Sequence, residues 1–548
     1  MVFVFDFVGF AVLLAPTAVH SLADLPVVGT FPSFSLNGAW HASGQTRQII
    51  EATREKGVDF LNPDGGPTVR ATPVAYHGDL GECCQLCEAS ATCAASVWDG
   101  HHCTFRRPQD LKYRVTHQKG KTACLFNITS RALAINGTVP GDLVTDLQNS
   151  GIVENPLLDT NFQTQAGNWS GHTWTYSKRF VLPAELAAPT NALLIVFEGI
   201  KMGATVSFNQ HILGNATNQH RRWVWPVDPA LLSTASPDGS HVVEVAFDSS
   251  IATEGRYMDC SGGWDWSPYS FMRDVDGNPM WTRGIWKDVY LVGFPRATAA
   301  ALTYAVPQVR YVGPHPDPTT PLHDGGDNPF EVDVCVYMHA AVAGVQGTVA
   351  VTGNWGDEQH MPVTLTQGEN KICTKLHAAT PRLWWPRGMG QQQLYNVTAR
   401  FEPATSSGGS PVSASRRIGF RHVILVTGND TNASWVAHAE AAKLEGNGKH
   451  TLMFRVNGAP FYAKGANMIP MEALEGRLRP GQHREHVNSA ADAGMNMLRV
   501  RPSVSPDSKE KRTPFDMVFG AAVDAFRSLT SGMGGRRVSP GRMVRRVR

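Results

Sequence analysis

From about residue 128 to 423 the chain is a succession of short segments rich in β-branched and aromatic residues, punctuated by Gly, Asn and Pro. NALLIVFEGI, GATVSFNQHILG, HVVEVAFDS and GIWKDVYLVG make a first set, spread over 128 to 296. FEVDVCVYMHA, GTVAVTGNW, NKICTKL, QLYNVTARFE and RIGFRHVILV make a second, from 329 to 423. Side chains of these types fit a pleated, half-buried surface. Short strands at regular spacing predict sandwiches or barrels rather than helical units. The proline-rich VPQVRYVGPHPDPTTP separates the two sets, and SLNGAWH at 35–41 reads as the opening strand of the first.

After residue 450 the character changes. FRVNGAPFYAKGANMIP reads as a hairpin followed by a strand, REHVNSAADAG as a helix stopped by Gly494, and MNMLRV as an apolar strand. Strand, helix and strand in that order predict the start of a parallel α/β unit. RPSVSPDSKEKRTP then breaks the pattern, and the last 13 residues carry six arginines and no acid. Residues 506–548 read as a disordered basic tail. With that charge set aside, a net charge of +2 leaves the folded body near neutral, so nucleic-acid binding is not expected of it.

The N-terminal MVFVFDFVGFAVLLAP, with small residues behind it, reads as a signal peptide over 1–23, too short for a membrane span. No other segment is long and apolar enough to cross a bilayer. Seven Asn-x-Ser/Thr sequons, at Asn127, Asn136, Asn168, Asn215, Asn396, Asn429 and Asn432, agree with a secretory route. So does cysteine usage. Six of the nine cysteines (Cys83, Cys84, Cys87, Cys93, Cys103 and Cys124) lie within 42 residues, as in a small disulfide-stapled module. A zinc site on Cys84-x-x-Cys87 would want a second tight pair, and Cys93 and Cys103 are ten apart. Metal and cofactor are therefore not expected. Fifteen pairings are open to six cysteines. Cys335 and Cys373 sit in two predicted strands of the second set and could bridge its sheets, leaving Cys260 over. The segment GECCQLCEASATCAASVWDGHHCTF resembles an apple or PAN-type module inserted over 60–126, a module type that binds proteins or carbohydrate.

GGWDWSP at 262–268 places two indoles around one carboxylate in a glycine-flanked loop. Fold anchoring is one reading, and a stacking and hydrogen-bonding edge for a polar ligand is the other. Trp384, Trp385 and Tyr395 read as packing residues, and His220, Arg221 and Arg222 as a solvated or interdomain polar edge.

An ordered set of motifs resembles the β-mannosidases of glycoside hydrolase family 2. It comprises VPGDLVTDLQNSGIVENPLLDTN, GHTWTYSKRF, ATNQHRRWVWPV, GGWDWSP, TRGIWKDVYL, RLWWPRGMGQQQLYNV, RRIGFRHV, FRVNGAPFYAKGANMIP and MNMLRV, covering roughly 128 to 500. The resemblance implies a mostly β chain. A jelly-roll sugar-binding domain would span 24–46 and 128–296, and an immunoglobulin-like β-sandwich 297–425. An incomplete start of a (β/α)8 barrel would follow at 451–505. It implies hydrolysis of terminal non-reducing β-D-mannose, with a mannose-containing oligosaccharide or N-glycan as partner, in a lysosomal, vacuolar or extracellular setting. Trp264 and Asp265 would bind the substrate, Asp265 accepting charge-assisted hydrogen bonds from sugar hydroxyls. Ser267 stands where relatives have glycine. Asn467 and Arg499 would lie at barrel-strand ends that face the site. Another family 2 specificity, such as exo-glucosaminidase, is the alternative within the resemblance.

Retaining glycosidases need two carboxylates about 5–5.5 Å apart. In the family the acid/base glutamate follows an asparagine, and this chain has no Asn-Glu dipeptide. The expectation is a fragment or truncated gene model with no catalytic residues of its own, whose residues after about 450 are poorly folded or loosely docked. The rival expectation is a non-catalytic carbohydrate- or protein-binding product.

Overall fold

The computed structural model describes residues 31–56 and 121–500, apart from 160, 171–172, 202, 220, 249–281, 317–319, 405–408, 427–452 and 469–471. Of the insertion it describes 59–60, 83–84, 87, 95–99, 103–106 and 114–115. Residues 1–23, Trp264, Asp265, Cys93, Cys260, Asn429, Asn432, His220 and the tail over 506–548 lie outside the described residues.

The first unit begins with β1 (Ser33–Ser35) and β2 (Gly38–Lys56). The insertion carries β3 (Asp59–Phe60), β4 (Ala95–Trp98), β5 (Cys103–Arg106) and β6 (Arg114–Val115). The unit resumes with β7 (Thr122–Val139), β8 (Trp174–Val181), β9 (Asn191–Phe197), β10 (Ala204–Phe208), β11 (His211–Ala216), β12 (Trp223–Val227), β13 (Ser240–Phe247) and β14 (Val289–Pro295). Two sheets face each other in the jelly-roll manner, ordered β1-β14-β9-β12 and β11-β10-β13-β8-β2-β7-β4-β5. SLNGAWH is therefore not one strand. Leu36 and Asn37 carry the chain from one sheet to the other, and Gly38 turns it at φ +99°. β2 and β7 run on past the sandwich as a ribbon, paired from Gly38↔Val139 to Lys56↔Thr122, and the insertion leaves and returns along it.

Why NALLIVF is apolar without alternation becomes clear in the packing. Leu193, Ile195 and Phe197 of β9 enter the core of the first unit, while Ala192, Leu194 and Val196 enter the core of the second. β14 divides in the same way, with Val289 and Leu291 on one side and Tyr290, Val292 and Phe294 on the other. The four-stranded sheet is thus a wall shared by two cores, and a strand buried on both faces has no place for polar residues.

The second unit has β15 (Ala300–Tyr311), β16 (Phe330–Ala340), β17 (Val345–Gly353), β18 (Asp357–Leu365), β19 (Gly368–Ala378), β20 (Tyr395–Pro403) and β21 (Val412–Ile418). They form sheets of order β15-β16-β19 and β18-β17-β20-β21, an immunoglobulin-like sandwich. β16 alternates buried and half-buried positions along its whole length, as a one-faced strand should. Cys335 and Cys373 are disulfide-bonded, but within one sheet: they face each other across β16 and β19, with Cα atoms 4.1 Å apart. The expected inter-sheet bridge is corrected to a cross-strand one. Trp355, Trp385 and Tyr395 pack against the core, and Arg421 lies 4.4 Å over the Trp384 ring.

RIGFRHVILV also divides. β21 ends at Ile418, and β22 (Val423–Val426) leaves the sandwich to pair with β23 (Met453–Val456), which turns into β24 (Ala459–Phe461). The turn residues Asn457 and Gly458 have φ +54° and +84°, the left-handed pair that a tight hairpin requires. β25 (Gly465–Met468), the helix Gln482–Asp492 and β26 (Met497–Val500) follow, and β25 and β26 pair in parallel. That is the predicted strand–helix–strand unit, the parallel start that a (β/α)8 barrel has. Gly494, at φ +76°, follows the helix.

Candidate functional site

The densest group of buried charges lies where the barrel beginning meets the jelly roll. It is built from the helix Leu143–Asn149, the loop after β9, and the turn Glu475–Arg477. Asp142 caps that helix, its Oδ1 accepting from the Thr145 N–H at 2.9 Å. Its Oδ2 accepts from Thr145 Oγ1 at 2.7 Å and from the Gly476 N–H at 2.6 Å. A Cβ on Gly476 would lie 2.8 Å from Asp142 Oδ2, so only glycine lets the backbone come this close.

Glu475 forms a buried ion pair with Lys201, whose side chains are 2% and 9% exposed. Its Oε1 also accepts from Gln219 Nε2 at 3.3 Å, and its Oε2 from Thr282 Oγ1 at 3.0 Å. Leu474 is fully buried in the jelly-roll core, and Arg477 donates to Gln148 and Asn155. For the 472–482 segment the expected poor folding or loose docking is overturned, because it supplies both apolar surface and charge to the first unit.

One turn along the helix, Asp146 accepts from the Thr138 N–H at 3.1 Å and from Tyr176 Oη at 2.6 Å. Burial pushes the Asp146 carboxyl up to about 6, against the lowering effect of the Tyr176 hydrogen bond. Burial and then the Glu475 charge hold Asp142 above the usual carboxylate range. This group superficially resembles a paired-carboxylate centre. The oxygens of Asp142 and Glu475 are already taken by Lys201, Gln219, Thr282, Thr145 and the Gly476 N–H, so the pair acts as a latch between units.

A second polar contact joins the two sandwiches. Arg222 Nε bonds both Glu198 oxygens at 2.8 Å, and its Nη1 donates to the Thr303 carbonyl at 2.6 Å. Tyr290 Oη donates to Glu198 at 2.7 Å, and Tyr304 Oη donates to the Arg222 carbonyl at 3.0 Å. The interdomain reading of Arg222 holds, whereas Arg221 is exposed over the Trp223 ring.

Asn467 and Arg499 are brought together as register partners of β25 and β26, with Asn467 exposed. Trp264 and Asp265 lie between Asp248 and Thr282, outside the described residues. In the insertion Cys83 pairs with Cys103 and Cys84 with Cys124, and Cys87 is disulfide-bonded too. Among the described residues no group of His, Cys, Asp and Glu could hold a metal ion, and no helix is long and apolar enough to cross a membrane. Of the sequons, Asn136, Asn215 and Asn396 are exposed on strands, while Asn168 donates its amide to the Gln165 carbonyl beside buried Ser170. Sequence reasoning missed Lys201 and Glu475. Asp142 carried a local signal, a capping acid three residues before Thr145.

Residues 113–287 match the family described as glycosyl hydrolase 2 galactose-binding domain-like. The first sandwich is thus similar to that family's domain over most of its length. Beta-mannosidase A of Aspergillus terreus is 27% identical to this chain over 409 residues, covering 67% of this chain and 40% of that protein. Beta-mannosidase of Capra hircus is 27% identical over 406 residues, with the same coverage. The chain thus spans about two fifths of the length of these relatives. The crystal structure of the Dictyoglomus thermophilum beta-D-mannosidase has the same fold, with a TM-score of 0.50 and 20% identity, covering 86% of this chain and 44% of that one.

Proposed function

We propose that this chain serves β-mannoside hydrolysis, with the family 2 domain holding the terminal mannose of an oligosaccharide or N-glycan. The observation that carries this is the β-mannosidase likeness extending over 67% of the chain rather than over one motif. The loop that bears Trp264 and Asp265 would supply the sugar contacts, with Asp265 accepting from hydroxyls and Trp264 offering an apolar wall. Asn467 and Arg499, at neighbouring strand ends, would border the same site. A secretory route, ending in a lysosome, a vacuole or outside the cell, fits the disulfides.

By itself the chain binds and does not cleave. Asp142 and Glu475 are engaged in the latch, Asp146 is held by Tyr176 and the Thr138 N–H, and the sequence has no Asn-Glu pair. Calorimetry with a mannosyl oligosaccharide should show binding that Asp265→Ala removes, and an aryl β-mannoside should not turn over. Turnover above background would refute the non-cleaving part, and no binding at all would refute the mannose part.

The insertion gives a second reading. Its described cysteines are buried and cross-linked at the end of a ribbon that leads away from the jelly roll, which supports a separate binding module of apple or PAN type. Glycan or protein binding that survives Asp265→Ala and is lost without residues 60–126 would favour it.

A further inference from the structure

Among the described residues, strand β7 has an open edge. Beyond its pairing with β4 at Leu125↔Ala95, the side of β7 away from β2 has no strand partner among the described residues. The helix Leu143–Asn149 covers only the far end, where Asp146 accepts from the Thr138 N–H. An unpaired strand edge offers a template to other strands, and folded proteins ordinarily blunt it. Between this edge and the turn after the helix lies a cleft of about 700 Å³, lined among others by His41, Ala134, Asn136, Thr138, Asn149 and Ile152. Asn136, Gly137 and Thr138 form one of the acceptor triplets, and the Asn136 side chain is exposed.

We propose that Asn136 carries an N-linked glycan whose first sugars lie in this cleft and cover the free edge of β7. The size agrees, because clefts of roughly 300–1,000 Å³ hold ligands of two or three rings. The chemistry agrees as well. Ala132 and Ala134 are small and leave room on the outer face, and His41, the cross-strand neighbour of Asn136, offers a ring nitrogen. Asn149 and Ser150 are exposed hydrogen-bonding groups opposite, and Ile152 gives an apolar spot for an acetamido methyl. Asn215 and Asn396 are exposed as well, but neither lines this cleft. This proposal rests on the secretory reading above.

The test expresses the full chain through the secretory pathway of a eukaryotic host and reads site occupancy by glycopeptide mass spectrometry. Asn136 is expected to be filled together with Asn215 and Asn396. A bare Asn136 overturns the proposal, and bare Asn215 and Asn396 beside it overturn the secretory reading too. Hydrogen exchange then tests the seating. Amides of 131–137 should exchange roughly tenfold more slowly in the glycosylated protein than in Asn136→Gln. Enzymatic removal of the glycan from the folded protein gives the same comparison without a folding step. Equal exchange with and without the sugar overturns the seating on the edge.

Discussion

Glu475 closes a buried ion pair with Lys201, 274 residues earlier in the chain. Neither residue is distinctive in the sequence, yet together they fix the segment after residue 472 on the first sandwich. A buried pair is retained for its geometry more than for net energy, because desolvating two charges offsets most of their attraction. Breaking one side is another matter, since it strands a charge.

Glu475→Leu alone should therefore destabilise the chain by about 3–5 kcal/mol, because the buried Lys201 ammonium loses the Glu475 carboxylate. The double variant Lys201→Met/Glu475→Leu should recover most of that loss. Urea midpoints for the three proteins check this, and a double variant as unstable as the single would count against the latch.

Stability should fall as pH rises. Asp146 ionises at about 6 when folded, against 3.8 as the ordinary value. A raised carboxyl favours the folded state below its unfolded value and loses that contribution as pH climbs through the folded one. The window is therefore about pH 4 to 6, and a shift of some 2 units corresponds to about 3 kcal/mol. Asp142, also raised, acts in the same direction. Thermal midpoints should drop across this window in the native chain, and Asp146→Asn should flatten the slope.

Arg222 holds the two sandwiches together through Glu198 and the Thr303 carbonyl. Arg222→Ala should cost about 2–4 kcal/mol, because a nearly buried carboxylate and a carbonyl lose their donor. Arg222→Lys should recover little, since one ammonium cannot reproduce the guanidinium fork. Proteolysis of the β14–β15 junction should accelerate in both variants, and unchanged cleavage would remove Arg222 from this role.

Replacing Cys335 and Cys373 together by Val should lower stability by about 4 kcal/mol in the loop-entropy account of a cross-link separating residues 38 apart. The sandwich should still fold, because the pair sits inside a continuous ladder between β16 and β19. Loss of all structure on this double substitution would show that the bridge is required for folding rather than supplementary.

The sequence by itself determined the β class of both sandwiches. Strand-period patterning is local, and each of FEVDVCVYMHA and HVVEVAFDS states which of its faces is buried. The hairpin at Asn457-Gly458 and the helix before Gly494 were legible for the same reason, since turn and stop chemistry act over a few residues. SLNGAWH and RIGFRHVILV misled because one apolar run can serve two sheets, and nothing local marks the crossing. The placement of Cys335 opposite Cys373 within a sheet depended on register, which pairs distant strands. Only the tertiary structure showed that β9 and β14 wall two cores, that Lys201 waits for Glu475, and that Asp142 receives Gly476. Those contacts join residues hundreds of positions apart, and their cause is shared burial: a charge excluded from water must find its partner wherever the fold has placed one.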